Sequence, residues 1–313
     1  MTANAFTRRG ALSGGLALAA CAQSPGAHDE VLFNDGMRMP PASDHRAFAS
    51  IERRIGGRVG VAAWDTGTRA WLTHRAHERF AMCSTFKWLL AAQMLYMDMH
   101  APGFREQRVL FGERDLLEYA PVTRARIVDG PVGRMGEMTV EELCEAIVVV
   151  SDNTAANLLL DGAMGPQGFT RFLREQGDVV TRLDRLEPDL NEVPPGDERD
   201  TTTPLAMVRN LQRFLLTDEV LNPASRERLI GWMVASTTGR ERLRAGLPSN
   251  WRVGDKTGTW IGEHNATNDV AIAWPPGRAP IVIACYLSAS TVEPAQRNAA
   301  HAEIARSVAE EWG

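Results

Sequence analysis

The chain has 313 residues, 44% of them hydrophobic, and a formal net charge of −5. That is enough apolar material for one large or two modest domains, and the charge gives no basic surface for nucleic acid. No apolar run approaches the ~20 residues that a membrane-spanning helix needs.

The first segment reads as an export signal. "TRRGAL" (7–12) carries a twin-arginine pair and "ALSGGLALAA" (11–20) is a short apolar run. Without Arg8 and Arg9 the net charge moves from −5 to −7. Leu18-Ala19-Ala20-Cys21 resembles a bacterial lipobox, in which the cysteine is lipidated and becomes the new N-terminus. Cleavage after Ala22 in "ACA" is the competing reading. Residues 1–21 are thus expected to be an export signal with a lipobox, and 22–42, rich in Ala, Pro, Gly and Asp, a linker. The expected location is the periplasm, with a membrane contacted only through lipid on Cys21.

"HRAFASIERRI" (45–55) has helical spacing. "RVGVAAWD" (58–65) is a strand, Thr66-Gly67 a turn and "RAWLTH" (69–74) its return. From 82 to 226 the pattern is helical. "KWLLAAQMLYM" (87–97) is apolar almost all round, which predicts a buried helix. "TVEE" (139–142) is a capping box opening the next helix. "NTAANLLL" (153–160) is a second apolar helix, ended by Gly165-Pro166, and Pro204 and Pro223 each stand where a first turn begins. "WRVGDKTGTW" (251–260), "NDVAIAWP" (268–275) and "APIVIACYLSA" (279–289) read as three strands, and "AQRNAAHAEIARSVAEEWG" as an amphipathic helix. Strands at both ends predict an α/β domain from 43–81 and 227–313, with a largely antiparallel sheet because the connections are short. An all-helical domain, 82–226, is inserted between them.

After the leader, Cys83, Cys144 and Cys285 cannot all pair, and the last two look like core fillers. His74 and His77 in "HRAH" have no further ligands nearby and read as surface residues, so no metal site is expected.

Four short motifs follow in order: "STFK" (84–87), "SDN" (151–153), "EPDLN" (187–191) and "KTG" (256–258). Each alone has a bland reading, as a helix cap, an N-cap cluster, a surface loop or a strand edge. Four in order, each at an element boundary, are poorly explained by chance. A serine hydroxyl is a weak nucleophile until a base takes its proton. Lys87 stands one helical turn from Ser84, within reach. A dry site near a helix's positive end disfavours its ammonium form. Breaking an acyl-serine ester needs an activated water, which a carboxylate with a nearby amide, Glu187 with Asn191, can hold and deprotonate.

The set resembles the class A serine β-lactamases, and "LEYAPVT" (117–123), "DERDTT" (197–202) and "NDVAIAWP" are also similar to that family. The resemblance covers nearly all of the chain after the leader. It implies a β-lactamase/transpeptidase-like α/β fold and hydrolysis of penicillins and cephalosporins through an acyl-serine. It further implies β-lactam substrates, no cofactor and a monomer. In its terms Ser84 is the nucleophile, Lys87 its base, Ser151 the relay to the lactam nitrogen and Glu187 the base for deacylation. Asn153 and Asn191 are joined as substrate-binding residues by Lys256, Thr257, Gly258 and Thr259 of the bordering strand, where the lysine and the threonine hydroxyls take the substrate carboxylate. Arg242 is a second carboxylate anchor and Tyr119 lines the entrance. The backbone N–H groups of Ser84 and Thr259 make the oxyanion hole. Arg185 with Asp200 closes the loop 181–200, and Asp152 is structural.

The chain departs from the family pattern at 131–137, at 260 and at 261–267, and Cys83 precedes the nucleophile as it does in several members. Residues 131–137, "PVGRMGE", look like an insertion, and "IGEHNAT" (261–267) is longer than expected. Trp260 stands where small residues or Cys are usual, so the bridge that some members make to the cysteine at Cys83 is not expected. Two alternatives share the serine and lysine: a penicillin-binding DD-peptidase, and a non-enzymatic β-lactam-binding or sensor lipoprotein. Glu187 and Asn191 argue against both.

Overall fold

The computed structural model describes residues 44–131 and 133–313, so Cys21 and the linker 22–42 lie outside the described residues. In chain order α1 (Arg46–Ile55) leads into β1 (Arg58–Asp65), β2 (Trp71–His74) and β3 (Phe80–Ala81), and a 3-10 turn, Cys83–Phe86, opens α2 (Lys87–His100). Next come β4 (Arg108–Gly112), β5 (Val128–Gly130), β6 (Gly133–Thr139), α3 (Val140–Val149), α4 (Asn153–Gly162) and α5 (Gly165–Glu175). After β7 (Thr201–Thr202), α6 (Pro204–Leu216) and α7 (Pro223–Ala235), a short α8 (Leu243–Gly246) precedes β8 (Arg252–Trp260). β9 (Ala266–Trp274), β10 (Ile281–Ser288) and α9 (Pro294–Trp312) complete the chain.

The main sheet has the order β2-β1-β10-β9-β8, antiparallel throughout. Short connections make β8, β9 and β10 successive neighbours, and β1 joins β10, which unites the two ends of the chain as expected. Alternate residues of these strands, such as Val61, Ala63, Ile283 and Cys285, bury one face against Phe48 and Ile51 of α1 and Ile304 and Val308 of α9. Helix α6 packs on the other face of β1 and β10. The edge strand β8 carries the Lys-Thr-Gly motif.

Helix α2 is buried from Lys87 to Leu95, which is why its sequence is apolar all round. Trp88 meets Phe214 of α6 edge-on, and Phe86 meets Phe169 of α5. Thr139 and Glu142 form the expected capping box on α3, exchanging bonds of 3.1 and 2.8 Å. Thr203 and Asn222 cap α6 and α7 ahead of their first-turn prolines. Gly165-Pro166 opens α5, whereas α4 stops at Gly162.

The structure differs from the sequence reading in two further places. The stretch 82–226 is not helical throughout: β4, β6 and β5 form an antiparallel sheet, and the supposed insertion at 131–137 runs into its strand β6. Gly136 and Met138 face inward, and a Cβ on Gly136 would lie 2.7 Å from the Phe111 ring. Outside, Arg108 pairs with Glu137 and Arg134 with Glu113. Gly, Met and charge are weak strand formers, so only cross-strand pairing and Phe111 define this sheet. His74 is the second difference. It is buried, 3.2 Å from Glu52 of α1 and 3.1 Å from Asp44, because β2 turns this residue toward α1. His77 is exposed, and Cys83, Cys144 and Cys285 are buried thiols.

Candidate active site

Ser84 lies in the tight turn that feeds α2. Cys83 adopts φ 44°, in the left-handed region that a side chain rarely occupies, and so aims the next residue out of the turn. The Ser84 hydroxyl donates to Glu187 Oε1 at 3.3 Å. Lys87, fully buried, donates to Asn153 Oδ1 at 2.6 Å and the Ser151 carbonyl at 2.9 Å, and pairs with the same Glu187 Oε1 at 2.8 Å. One carboxylate oxygen therefore takes hydrogen bonds from both the serine and the lysine. The expected direct Ser84–Lys87 contact is replaced by this shared acceptor. Burial pushes the Lys87 amine below the ordinary lysine range, and the Glu187 charge opposes that shift.

Ser151 also has a positive φ, 63°, and its hydroxyl lies between two lysines, 3.0 Å from Lys256 Nζ and 3.5 Å from Lys87 Nζ. Burial, and then the nearby Lys87, holds Lys256 well below the usual lysine range. Asp152, next in the motif, faces away from the cavity. Its carboxylate accepts from the N–H groups of Val122, Thr123 and Ala155 at 2.9, 3.0 and 2.9 Å, capping α4 and pinning the segment that bears Tyr119. Tyr119 is 51% exposed at the cavity mouth, and its hydroxyl donates to the Val150 carbonyl at 3.1 Å.

Glu187 sits on the loop 181–200 with its carboxylate turned inward. Asn191 Nδ2 donates to Oε2 at 2.5 Å. A residue that sequence reasoning missed holds the backbone: Asn157 of α4 donates to the Glu187 carbonyl at 2.9 Å and accepts from the Glu187 N–H at 3.0 Å. Its one signal is a second amide in "NTAANLLL", a helical turn after Asn153 and just ahead of the apolar Leu158 to Leu160. Arg185 and Asp200 close the loop at 2.6 Å, and the buried Asp200 also accepts from the N–H groups of Asp184 and Arg185 at 2.7 and 3.0 Å.

Strand β8 closes the other side. A Cβ on Gly258 would lie 2.6 Å from the Met82 carbonyl and 3.1 Å from the Ser84 nitrogen, so only glycine lets the strand come this close to the turn. That approach brings the backbone of Gly258 beside the Ser84 nitrogen. Thr257 donates to Thr238 at 2.7 Å, a second residue not anticipated. Arg242 is 8% exposed and fully engaged: it donates to the carbonyls of Gly258 and Asn268 at 3.0 and 2.7 Å, to Thr259 Oγ1 at 2.7 Å and to Asn298 Oδ1 at 3.0 Å. It thus braces β8, which the expectation of a free carboxylate anchor did not include.

Beside these groups is a cavity of about 760 Å³, bordered by Ser84, Tyr119, Ser151, Asn153, Asn191 and Thr257 to Ile261. It has the room of a small-molecule site. A serine whose hydroxyl donates to a buried carboxylate that also pairs with a depressed lysine is equipped for acyl transfer. Among the described residues no cluster is arranged to hold a metal ion, and no helix is long and apolar enough to cross a membrane.

Residues 45–312 match the model of the β-lactamase enzyme family. The chain is 45% identical to the β-lactamase AST-1 of Nocardia asteroides, over 95% of this chain and 94% of that one. It is 42% identical to the carbapenem-hydrolysing β-lactamase KPC of Klebsiella oxytoca, over 85% and 88%. Among solved structures, an ancestral class A β-lactamase superposes with a TM-score of 0.79 at 54% identity, covering 84% of this chain and 98% of that one.

Proposed function

The chain belongs to the class A serine β-lactamases and hydrolyses the β-lactam ring, and from that premise we propose how its residues divide the work. Ser84 attacks the lactam carbonyl, whose oxygen is received by the backbone N–H groups of Ser84 and Thr259. Lys87 is the base for this step, its amine kept readily neutral by burial. Ser151, bridged to Lys256, delivers a proton to the departing lactam nitrogen. Lys256 and Thr257 hold the substrate carboxylate, Arg242 acts on it through Thr259, and Asn153 and Tyr119 border the acyl side. Glu187, with Asn191, then activates the water that cleaves the acyl-serine.

The observation that carries this reading is the Glu187 carboxylate, buried, shared by Ser84 and Lys87 and fixed by Asn191, with the Glu187 backbone held by Asn157. A DD-peptidase or a sensor has no use for such a group. In this reading the 43–81 and 227–313 segments contribute β8, and the 82–226 stretch contributes Ser84, Ser151 and Glu187. Penicillins and early cephalosporins are the expected preferred substrates, with carbapenems weaker. The protein is exported. Lipidation of Cys21 and a monomeric state complete the proposal. Ser84→Ala tests its core: turnover should vanish while the fold melts as in wild type, and normal hydrolysis by the variant would remove Ser84 from the reaction.

A further inference from the structure

Four residues, side by side across the main sheet, face the turn that carries Ser84. Gly60 of β1 pairs with Tyr286 of β10, Tyr286 with Asn268 of β9, and Asn268 with Gly258 of β8. Residues directly opposite one another point to the same face of a sheet, so the four form one row. The chain from Phe80 to Thr85 lies on it. A Cβ on Gly60 would collide with the Phe80 ring, and one on Gly258 with the Met82 carbonyl. Tyr286 is buried, with its hydroxyl 3.3 Å from Thr85 Oγ1. Thr85 donates its own proton to the Met82 carbonyl at 2.8 Å, so the tyrosine is the donor of the other bond. Asn268 is 1% exposed, and its Nδ2 donates to the carbonyls of Ala81 and Met82 at 2.9 and 3.1 Å. Two carbonyl partners fix which way the amide points.

Asn268 is the member of this row tied to both halves of the oxyanion hole. One half is the Ser84 N–H, two residues after the Met82 carbonyl that the amide holds. The other is the Thr259 N–H, next to Gly258. Arg242 links that strand to Asn268: it donates to the Asn268 carbonyl at 2.7 Å and to the Gly258 carbonyl and Thr259 Oγ1 at 3.0 and 2.7 Å. Asn268 does not border the catalytic cavity, so it acts through the backbone and not on the substrate. We propose that Asn268 is the positioning residue of the oxyanion hole. Its amide holds the Ser84 turn against the strand that supplies Thr259 and so sets the spacing of the two N–H donors. This rests on the hydrolase reading above. The hole receives a tetrahedral oxyanion in acylation and another in deacylation, so losing Asn268 slows both steps alike. A residue acting through Glu187 would slow deacylation alone.

The test follows acylation by stopped flow and deacylation by single turnover of one penicillin, in wild type, Asn268→Ala and Asn268→Thr. Alanine removes the donor. Threonine suits a strand, but its hydroxyl is too short to reach both carbonyls, and it carries the test if the Ala variant does not fold. The inhibition constant of a boronic acid with the same acylamino group reports on the hole directly. Ser84 Oγ adds to its boron, and the tetrahedral anion places an oxygen between the two N–H groups. Deleting an oxyanion-hole donor outright costs about 10²–10³-fold, so displacing one should slow both steps by about 10–10²-fold. The inhibition constant should rise by the same factor. A lower Tm with acylation, deacylation and boronate affinity all near wild type would mean that Asn268 only supports the fold, and would overturn the proposal. Slowing of deacylation alone would overturn it too, by placing Asn268 behind Glu187. A wild type that keeps the penicillin as a stable adduct would instead overturn the hydrolase reading, while acylation and boronate affinity would still report on Asn268.

Discussion

Asn157 is the residue whose removal separates positioning of Glu187 from the chemistry itself. It touches neither Ser84 nor the carboxylate, but both its amide groups hold the Glu187 backbone, at 2.9 and 3.0 Å. Asn157→Ala deletes both bonds. A neutral hydrogen bond contributes a net ~0.5–1.5 kcal/mol, so the pair is worth about 1–3 kcal/mol. At about 2–4 °C per kcal/mol for a domain of this size, Tm should fall by several degrees. The kinetic effect should be larger and selective. A 1 Å misplacement of a catalytic group costs about 10²-fold, and only the water-activating step depends on where Glu187 stands. Stopped-flow acylation and single-turnover deacylation of a penicillin should show acylation within a few-fold of wild type and deacylation slowed about 10²-fold. Equal slowing of both steps would mean that Asn157 supports the whole site, and no slowing of either would mean that Glu187 is positioned without it.

Other expectations follow from the same contacts. Lys256 is depressed by burial and by Lys87, so its ammonium is lost at lower pH than an exposed lysine's. KM for carboxylate-bearing substrates should accordingly rise as pH climbs through that lowered pKa, and Lys256→Arg, which stays charged, should abolish the rise. A KM that stays flat into the ordinary lysine range would refute the assignment. Arg242→Ala removes a guanidinium bonded to Gly258, Asn268 and Thr259, so it should lower Tm as well as weaken carboxylate binding by about 1–3 kcal/mol. A rise in KM with Tm unchanged would show that bracing β8 is not its main role. Intact mass of the exported protein should show Cys21 carrying lipid, whereas an unmodified N-terminus at Gln23 would exclude the anchor.

What the sequence revealed is the chemistry that needs fixed spacing on one element. Ser84 and Lys87 are a helical turn apart and Lys256 to Thr259 share a strand, so their motifs survive as short words. Glu187 and Asn191 are legible for the same reason. Contacts made across elements are not. The Ser84–Glu187 bond joins residues 103 apart in the chain and depends on the closure of a whole loop. Asn157 looks like one more helix residue until that loop lies against it. Arg242 reads as a substrate anchor because two of its four acceptors are backbone carbonyls and all four lie on elements distant in the chain, which a sequence does not display. The β4-β6-β5 sheet escaped notice because its strands are short, rich in glycine and charge, and specified by pairing.

The most direct test of the mechanism is the lifetime of the acyl-Ser84 adduct, followed by intact mass after mixing with a penicillin, in wild type and in Glu187→Ala. Removing Glu187 takes away the charge that opposes the depression of Lys87, which leaves the amine more readily neutral and still able to drive acylation. The adduct should therefore form in both proteins. In wild type it should vanish within turnover, and in Glu187→Ala it should persist, with deacylation slowed ~10²–10⁴-fold, the usual cost of a lost general base. Equal adduct lifetimes in the two proteins would contradict the assignment of Glu187 as the base that releases the product.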